Sequence, residues 1–492
     1  MTAVHLLVDD TRTALGHAVE VYRGSDAEPG LRRILDRLDE PLRVAVAGRV
    51  KSGKSTLLNA LVGERLAPTD AGECTRIVTW FTDGHTYRVD VHPFDGAPRQ
   101  ARFTRDDGGL EIDLGGLSPD QVDQLVVTWP SRALRRSTLI DTPGIGSLSQ
   151  SLSRRTWDLL TVDDEEAPAD AVLYLMKHLH SNDVEFLRAF HDTEVSRPNP
   201  INAIGVLSRA DEIGVGRLES MASARRIAAR LSRDPKVRRL VQTVLPVAGL
   251  LAETATTLTE TEVGHLRRVS ELAPAEVEQL LLSADRFLEG RPELGVTSTD
   301  RQRLLDRFGI FGIRLASTLL RQKVAGTATD LARELKGRSG LDDLQEVLRS
   351  LFFQRREVLK CRSALLALST LVRSRPVTGA QQLSSEVEQV IASAHPFNEL
   401  RVLSAVRAGW VSGRPEVVAE LERVIGGAGA AAQLRLGLDP DADDGAVHTA
   451  AVEALRRWQR RAENPITGYE LSVASRVAVR SCEGILAERA QA

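Results

Sequence analysis

The sequence has few cysteines, few aromatic residues and little net charge. Its three cysteines, Cys74, Cys361 and Cys482, show neither pairing nor metal-ligand spacing, which excludes a disulfide scaffold and fits a reducing compartment. Aromatic residues make up only 4% of a chain with frequent Ala, Leu and Arg, a composition that favours helices. The formal net charge of -3 argues against a surface that traps nucleic acid over its whole extent. We therefore expect a globular protein for which nucleic acid is an unlikely partner.

Long apolar segments are also missing. The longest weakly polar run, 241–252, falls well short of the ~20 residues that a membrane-spanning helix needs, and it contains Pro246. The N-terminus has no basic segment followed by an apolar stretch, and Asp9 and Asp10 interrupt its apolar residues, so no secretory signal is predicted. Any membrane contact is expected to be peripheral.

Hydrophobic spacing divides the 492 residues into three stretches. From Val4 to Leu38 the apolar residues have helical spacing, and a break at Gly24–Gly30 indicates two helices. From Leu42 to about Ile313, short β-like runs alternate with helical or polar segments, which predicts an α/β domain with a mainly parallel sheet. After about Leu315 the pattern becomes helical, which predicts an extended all-helical second half.

An apolar stripe with a period of seven runs through the beginning of this helical half. It predicts one helix of roughly thirty residues with a continuous apolar face. The stripe consists of Leu344, Leu351, Val358, Leu365 and Val372. We interpret it as the core-facing side of a helical bundle, so it indicates architecture rather than activity.

The segment Gly48–Ser55, GRVKSGKS, matches a phosphate-binding loop placed between a predicted strand and a predicted helix. Its glycines let backbone N–H groups surround phosphates, and the helix N-terminus favours their negative charge. Lys54 is expected to reach the β and γ phosphates, and the Ser55 hydroxyl to bind Mg²⁺. The predicted phosphate-binding residues are Gly48, Lys51, Ser52, Gly53, Lys54, Ser55 and Thr56.

A second motif, DTPG at Asp141–Gly144, follows the apolar end of a predicted strand. Asp141 is expected to hold Mg²⁺, and the backbone N–H of Gly144 to meet the γ-phosphate of a nucleotide. Between the two motifs, Thr75 is our candidate for the switch threonine that completes the Mg²⁺ coordination. Thr69 is the alternative. The predicted metal ligands are therefore Ser55, Thr75 and Asp141.

Two later segments are candidates for contacts with the base. In Ser208–Asp211, SRAD, the Asp211 carboxylate can accept hydrogen bonds from the ring N–H and the amino group of guanine, a donor pair that adenine lacks. The Ala248–Gly249 segment follows a further predicted strand, and its backbone is expected to contact the base. The order of the motifs predicts a guanine-nucleotide site.

At this point the residues resemble those of a known family. GRVKSGKSTLLNALVGERL at 48–66, followed by Pro68 and by Cys74–Arg76, is similar to the beginning of the bacterial dynamin-like GTPases, and the DTPG motif follows suitably. Leu304–Gly312 resembles the segment that closes the GTPase domain in that group. The helical second half resembles its neck and trunk, and the length and organisation resemble those of the isoniazid-inducible dynamin-like proteins.

The resemblance implies a GTPase that binds GTP or GDP with Mg²⁺. It also implies pairing through the GTPase face, with a second copy or a related dynamin-like chain, and peripheral binding and remodelling of an anionic membrane. The implied location is cytoplasmic, at the inner face of the cell membrane. The domains are expected at 1–40 (N-terminal helices packing on the neck), 41–320 (GTPase domain), 321–340 (neck), 341–465 (trunk with a membrane tip) and 466–492 (C-terminal helix returning to the neck).

Two positions depart from the family pattern. Val50 and Lys51 stand where dynamins usually carry Gln and Ser, and Lys51 is a candidate for supplying positive charge near the phosphates. With Lys54, Ser55 and Thr75, it completes our set of catalytic candidates. Ser208 and Arg209 stand where guanine-specific GTPases usually have Asn or Thr, then Lys. Arg209 can still lie beside the base, but ATP remains an alternative to GTP.

The membrane tip is expected at Trp410 and Val411, with Arg401, Arg407 and Arg414 nearby to attract anionic lipid. A core position for Trp410 beside a turn is the alternative. Two other functions are compatible with the motifs: a regulatory switch GTPase whose helical half binds a protein partner, and a nucleotide-binding scaffold that scarcely hydrolyses. RNA binding ranks below them, because GRSG at Gly337–Gly340 lacks the context of a phosphate-clamping loop.

Overall fold

The computed structural model describes residues 3–68, 77–106, 109–144, 169–177, 202–214, 216–290, 294–407 and 409–489. Its strands are β1 (Leu42–Gly48), β2 (Val78–Thr82), β3 (Arg88–Pro93), β4 (Arg99–Gln100), β5 (Phe103–Asp106), β6 (Gly109–Ile112), β7 (Val122–Thr128), β8 (Ser137–Asp141), β9 (Ala171–Met176), β10 (Ala203–Ser208) and β11 (Val244–Val247).

The α-helices described within the first 321 residues are α1 (Ala3–Val21), α2 (Glu28–Asp36), α3 (Lys54–Val62), α4 (Ser220–Arg233), α5 (Pro235–Arg238), α6 (Gly249–Thr256), α7 (Glu260–Glu271), α8 (Pro274–Leu280), α9 (Ala284–Glu289) and α10 (Ser298–Arg321). The later helices are α11 (Ala328–Ser339), α12 (Leu341–Leu351), α13 (Arg356–Ser374), α14 (Ala380–Ser393), α15 (His395–Arg407), α16 (Pro415–Val424), α17 (Ala432–Leu436), α18 (Asp444–Glu463) and α19 (Tyr469–Arg489).

Nine of the strands form one sheet in the order β11-β10-β9-β1-β8-β2-β7-β3-β4, and β5 and β6 form a separate hairpin. The five strands from β11 to β8 run parallel to one another. Beyond them, β2 pairs antiparallel with β8, and β3 pairs antiparallel with β7 and β4. The predicted fold class, a mainly parallel α/β domain followed by an extended helical region, is confirmed.

Both faces of the sheet are buried, which explains the almost uninterrupted apolar runs of its central strands. Along β1, Val44 and Val46 point into one core, whereas Ala45 and Ala47 point into the other. The first core also holds residues of α1 to α3 and of α12 to α15, and the second holds residues of α4 to α11. The sheet is therefore the layer on which both groups of helices pack.

Two expectations about element boundaries were wrong. Strands were expected through about Ile313, but the described residues between β11 and that position are helical wherever they form regular structure. Their apolar side chains, for example Val263, Leu266 and Val269, recur at three-residue intervals on one buried helix face. Short apolar runs do not distinguish such a face from a buried strand.

The single long helix expected from the seven-residue stripe is also wrong. A 3₁₀ turn at Phe353–Arg355 separates α12 from α13, although the stripe residues on both sides enter the same core. At this turn Phe352 is fully buried, and the buried Arg355 donates to the Gly426 carbonyl. The stripe therefore identified the buried face but not the interruption, at which Arg355 bonds to a residue 71 positions away.

The terminal helices pack within the helical half. α1 contacts α13 and α14, and α19 contacts α15, α16 and α18. A distal core unites residues of α15, α16, α18 and α19 around the fully buried Trp458. The expected domain boundaries remain a prediction. Within the ranges that the structure describes, none of the helices combines the length and apolar character needed to cross a membrane.

Candidate functional site

The predicted nucleotide motifs meet at one edge of the sheet. Because β1, β8, β9, β10 and β11 are parallel, their carboxyl ends lie side by side, and this is where open α/β sheets bind ligands. Gly48 ends β1, Asp141 ends β8, and Ser208 ends β10. Segments separated by more than a hundred residues in the sequence thus contribute to one site.

The phosphate loop has the backbone that its glycines permit. A side chain at Gly48 would lie 2.5 Å from the Leu175 carbonyl oxygen, so β9 leaves no room for one. Gly53 has a φ of 89° and caps the N-terminus of α3, a conformation that favours glycine. The first turn of α3 begins at Lys54, which places its unpaired backbone N–H groups at the loop.

Lys54, Ser55 and Asp141 form a connected polar group beneath the loop. The Ser55 hydroxyl donates to Asp141 Oδ2 at 2.7 Å, and the buried Lys54 amine reaches the Arg49 carbonyl at 3.4 Å. Burial lowers the pKa of Lys54 despite the nearby Asp141 charge, and burial raises the pKa of Asp141 despite Lys54 and Ser55. Both pKa shifts indicate a site shielded from water, in which the charged forms of Lys54 and Asp141 need further polar partners.

The residues present fit a bound magnesium nucleotide. Asp141 Oδ1 is buried and has no hydrogen-bond partner among the described residues, which is the state expected of an oxygen that serves a hydrated cation. Phosphate oxygens would supply the counter-charge that the desolvated Lys54 needs. Ser55 and Asp141 would hold Mg²⁺, while Thr75 and Thr69 lie outside the described residues.

Gly144 lies directly against the phosphate loop. A side chain there would come within 2.6 to 2.8 Å of three atoms of Val50. The Thr142 hydroxyl donates to the Val46 carbonyl at 3.0 Å and so fixes the DTPG segment to β1. The backbone of Gly144 is therefore close enough to the phosphate loop to move when a ligand binds there.

Lys51 has an unusual backbone conformation. Its φ of 60° lies in the left-handed region, which costs a residue other than glycine roughly 1–2 kcal/mol. Its side chain is exposed, as is that of the neighbouring Val50. A strained, exposed lysine at the tip of a phosphate loop is an outlier of the kind that occurs at functional sites.

A cavity of about 180 Å³ adjoins the phosphate loop on the side of β10 and β11. Its lining comprises Ser52, Gly53, Thr56, Leu57, Leu175, Val206, Ser208, Arg209, Asp211, Glu212, Val247, Gly249 and Leu250. The hydroxyls of Ser52 and Ser208 are buried and have no partner among the described residues. Burial raises the pKa of Asp211. Apolar walls with a few unsatisfied polar groups suit a planar, hydrogen-bonding base.

Two residues that the motif analysis missed hold Arg209 in place. Arg209 Nη1 donates to Glu212 Oε1 at 2.7 Å, and Lys177 Nζ donates to Glu212 Oε2 at 2.9 Å. Arg209 itself has a φ of 51°, which turns the chain sharply before Asp211. Glu212 follows Asp211 directly in the sequence, but only the fold brings Lys177, at the end of β9, to the same carboxylate.

One of the two backbone candidates for base contact is corrected by the structure. The Ala248 N–H donates to the Ser339 carbonyl at 2.9 Å, and Ala248 does not line the cavity, so this group points away from the base. Gly249 does line the cavity and begins α6, whose first N–H groups have no partner within the helix. The expected contact therefore moves to the first turn of α6.

The start of the segment that carries Thr75 is anchored by a second missed group. Asn59 Oδ1 accepts the N–H groups of Leu66 and Ala67 at 3.0 and 2.8 Å. Asn59 Nδ2 and Arg65 Nε donate to Glu253 Oε1, on α6, at 3.2 and 2.9 Å. Burial raises the pKa of Glu253. This network joins α3, α6 and the stretch of chain that precedes Thr75.

The predicted membrane tip is only partly exposed. Trp410 is 39% exposed, but Val411 is 6% exposed and packs in the distal core. Arg407 is buried and donates to Glu422 and to the Gly427 carbonyl. Val411 is therefore not accessible to lipid in this conformation, because it is buried in the distal core. Arg407 is not accessible either, because it is buried and paired with Glu422.

A more exposed apolar group lies at the turn between α18 and α19. Ile466 is 90% exposed and Tyr469 is 79% exposed, and Val473 follows one turn later at 40%. A side chain at Gly413 would lie 3.3 Å from Leu471, so the loop that contains Trp410 runs beside the first turn of α19. We call Trp410, Ile466, Tyr469 and Val473 the apolar tip. Sequence spacing did not reveal it, because exposure at a helix turn leaves no periodic signal.

The sheet, the phosphate loop, the DTPG segment and the cavity beside Asp211 define the nucleotide-binding domain of a P-loop GTPase. Residues 44–210 match the sequence model of the dynamin family. The chain is 41% identical to the isoniazid-induced protein IniC of Mycobacterium tuberculosis over 487 residues, which cover 98% of each chain. The protein therefore belongs to the dynamin family, as a relative of IniC.

Other relatives match shorter parts of the chain. The bacterial dynamin-like protein of Nostoc punctiforme is 36% identical over 115 residues, which are 21% of this chain and 16% of that protein. IniA of M. tuberculosis is 28% identical over 274 residues, 52% of this chain and 38% of IniA. A solved oligomerised bacterial dynamin pair aligns over 94% of this chain and 87% of that chain, with 11% identity and a TM-score of 0.32.

Proposed function

We propose that the protein hydrolyses GTP with Mg²⁺ and couples nucleotide binding and hydrolysis to peripheral binding and remodelling of membranes. The observation that carries the proposal is the convergence of Lys54, Ser55 and Asp141 at one sheet edge, where Asp141 Oδ1 is buried and has no hydrogen-bond partner within the described part of the chain. Membership of the dynamin family supports the reaction, and the apolar tip supports the membrane contact.

The residues of this chain have separate tasks in hydrolysis. Backbone N–H groups of the phosphate loop and the Lys54 amine bind and orient the phosphates, while Ser55 and Asp141 hold Mg²⁺. When bound, the metal neutralises charge on the terminal phosphates. Gly144, in contact with Val50, senses the γ-phosphate, and Thr75 completes the metal site. Lys51 supplies the positive charge that other dynamins obtain from different residues.

Guanine selectivity rests on Asp211. Its carboxylate accepts from two guanine donors, while Arg209, fixed by Glu212, lies beside the base and the first turn of α6 offers N–H groups. Losing two charge-assisted hydrogen bonds costs about 3 kcal/mol, or roughly 100-fold in affinity. A titration of GDP against ADP tests this selectivity, and equal affinities would exclude the role given to Asp211.

The proposed membrane contact is the apolar tip rather than Trp410 and Val411 alone. Transfer of an exposed side chain such as Ile466 into the lipid interface contributes about 2 kcal/mol, and Trp410 and Tyr469 suit the interface because they combine apolar rings with a polar atom. Exposed Arg414 and Arg460 are four and six residues from Trp410 and Ile466 in the sequence, and in this proposal they attract anionic lipid. The protein would then act at the inner face of the cell membrane.

The pairing partner and the domain division remain part of the proposal. A second copy or a related dynamin-like chain would cover the nucleotide face, where Val50 and Lys51 are exposed. The residue ranges 41–320, 321–340 and 341–465 would act as GTPase domain, neck and trunk. Pairing predicts that specific turnover rises with protein concentration.

The first experiment measures GTP turnover with and without anionic liposomes, together with sedimentation of the protein with the liposomes. Lys54→Ala serves as the control without activity. The double variant Ile466→Ser and Tyr469→Ser tests the tip, and Leu282→Ser is its matched control, because Leu282 is exposed but lies on the GTPase side. We expect turnover to rise with lipid in the parental protein and in Leu282→Ser, whereas the tip variant loses this rise and retains nucleotide binding.

Two results would change the proposal. Turnover that ignores lipid, without sedimentation, would favour a regulatory switch GTPase whose helical half binds a protein. Nucleotide binding without measurable turnover under any condition would favour the scaffold function. Liposomes of neutral lipid distinguish insertion of the tip from attraction by Arg414 and Arg460, because only the latter requires anionic headgroups.

A further inference from the structure

One wall of the nucleotide cavity, formed by residues 247–250, is hydrogen-bonded on its far side to the helical region that follows. We call it the base-side wall. Val247, Gly249 and Leu250 line the cavity, whereas Ala248 between them is fully buried and faces the other way. The Ala248 N–H donates to the carbonyl of Ser339, the last residue of α11. The wall is therefore attached through its main chain to the junction between α11 and α12.

This junction is built for close contact with the wall. Gly340 has a φ of 82°, and a side chain there would overlap the carbonyl oxygen of Pro246 in β11. Within the junction, the Ser339 hydroxyl donates to the Lys336 carbonyl at 2.7 Å and accepts from the Leu341 N–H at 3.1 Å. Both the conformation and the contact require glycine at position 340, so the docking is specific to this point of the helical region.

The elements on both sides of the junction are also fixed to the nucleotide domain. α11 packs along α6, the helix that begins at Gly249. On the other side, Leu341 and Leu344 of α12 are fully buried in the core that contains β1 and α3. The wall cannot move away from Asp211 unless the Ala248–Ser339 bond breaks or α11 and α12 move with it.

We propose that Ser339 and Gly340, which lie outside the GTPase fold, are positioning residues that hold the base-side wall of the nucleotide cavity closed. The inference rests on the nucleotide site proposed above and adds that the helical region controls how fast nucleotide leaves. By reciprocity of linked equilibria, a bound guanine nucleotide stabilises the docked junction to the same extent that docking strengthens nucleotide binding.

The test compares release of a fluorescent GDP analogue from the full-length protein and two glycine variants. Gly340→Ala forces a side chain against the Pro246 carbonyl and is expected to release the analogue about tenfold faster, with a smaller preference for GDP over ADP. Gly337→Ala, three residues earlier in α11, is the matched control, because its added carbon meets only Asp342 Oδ2 at 3.9 Å. The control is expected to release at the parental rate.

A second measurement keeps the inference testable if Gly340→Ala does not fold. Hydrogen exchange of the parental protein is followed over 336–345 with and without GDP, and GDP is expected to protect these amides. A folded Gly340→Ala protein with parental release and selectivity would overturn the inference, even if its melting temperature falls. Absence of GDP-dependent protection at 336–345 would also overturn it. If the parental protein binds no guanine nucleotide, the proposed function fails as well.

Discussion

At the scale of single residues, the phosphate loop combines the residues that its motif requires with an uncommon side chain. Lys54 and Ser55 begin α3, where the proposed contacts with phosphate and Mg²⁺ need them, whereas Lys51 adopts a left-handed conformation in the exposed part of the loop. Glycine would adopt this conformation without strain. The presence of lysine there therefore suggests that its amine has a role in GTP turnover. This role can be separated by mutation from the effect of the strained backbone on stability.

Substitution of Lys51 separates these two contributions. Lys51→Gly is expected to raise the free energy of unfolding by about 1 kcal/mol, because it relieves the strain, while lowering GTP turnover at least tenfold. Lys51→Ala retains the strain and is expected to lose turnover equally. Thermal denaturation and phosphate release measure the two effects. Parental turnover in Lys51→Ala under all conditions would remove Lys51 from the mechanism.

A second residue-scale prediction concerns Glu399 in the helical half. Burial pushes the pKa of this carboxyl upwards, but the charge of Arg435 and hydrogen bonds from His395 and Ser481 outweigh it and lower the pKa to about 2. A carboxylate with a lowered pKa stabilises the fold above its unfolded pKa of 4.5 and loses this contribution as the pH falls towards 2.

Glu399→Gln is therefore expected to cost about 3 kcal/mol of stability at pH 7, because it leaves the largely buried Arg435 without its anionic partner. The difference from the parental protein should narrow as the pH falls below 4.5. Melting temperatures between pH 7 and pH 3 measure it, with Glu388→Gln at an exposed site of α14 as the control. A difference that is independent of pH would show that the lost interaction is not ionic.

At the scale of elements, α10 contains a kink at Gly309. Gly309 has φ 60° and ψ 176° inside this helix, a combination that essentially only glycine adopts. Beside it, the Thr254 hydroxyl donates to the Arg307 carbonyl, and Arg307 Nε donates to Glu262 Oε1 at 2.6 Å. The kink is thus held by contacts from α6 and α7.

Gly309→Ala is expected to lower the free energy of unfolding by about 1–3 kcal/mol, because it strains the backbone although space for the methyl group exists. Gly264→Ala is the matched control in α7, where nothing lies within 4 Å of the added carbon. It is expected to stabilise the helix by about 0.5–1 kcal/mol. Equal melting temperatures for the two variants would mean that α10 straightens without cost.

At the scale of the whole molecule, one hydrophobic core joins α1 and α2, the sheet and the helices α12 to α15. A buried ion pair reinforces it: Arg37 Nη2 donates to Asp170 Oδ1 at 2.9 Å, and Asp170 Oδ2 accepts the Arg43 N–H. Lys360 of α13 donates to the Leu38 carbonyl at 2.7 Å. The nucleotide domain and the proximal helices are therefore expected to unfold together.

Asp170→Ala tests this continuity. It removes a carboxylate that is 1% exposed and is expected to destabilise the protein by about 3 kcal/mol and to make the chain near residue 40 sensitive to protease. Asp39→Ala breaks the exposed Arg12–Asp39 pair and is the control, with an expected cost below about 1 kcal/mol. Unchanged proteolysis in Asp170→Ala would show that hydrophobic packing holds the N-terminal helices in place without the Arg37–Asp170 ion pair.

The sequence by itself determined the features that depend on local geometry. Gly48–Ser55 and Asp141–Gly144 were recognisable because phosphate and metal binding require particular residues at fixed spacing after a strand. The sequence also predicted the alternation of strands and helices in the first half and the buried face of the helical stripe. Both were predictable because burial makes apolar residues recur with the period of a strand or a helix. The assignment of Asp211 to the base-side cavity followed from the order of the motifs.

The tertiary structure alone decided the features that depend on contacts between distant segments. The sequence could not show that Ala248 faces Ser339, that Lys177 and Arg209 share Glu212, or that Arg355 interrupts the stripe. Nor could it place the apolar tip at Ile466 rather than Val411, because both are apolar residues beside a turn. The packing of helices and strands determines which groups form hydrogen bonds and which side chains are exposed. A local residue pattern does not indicate which distant surface will cover a given segment.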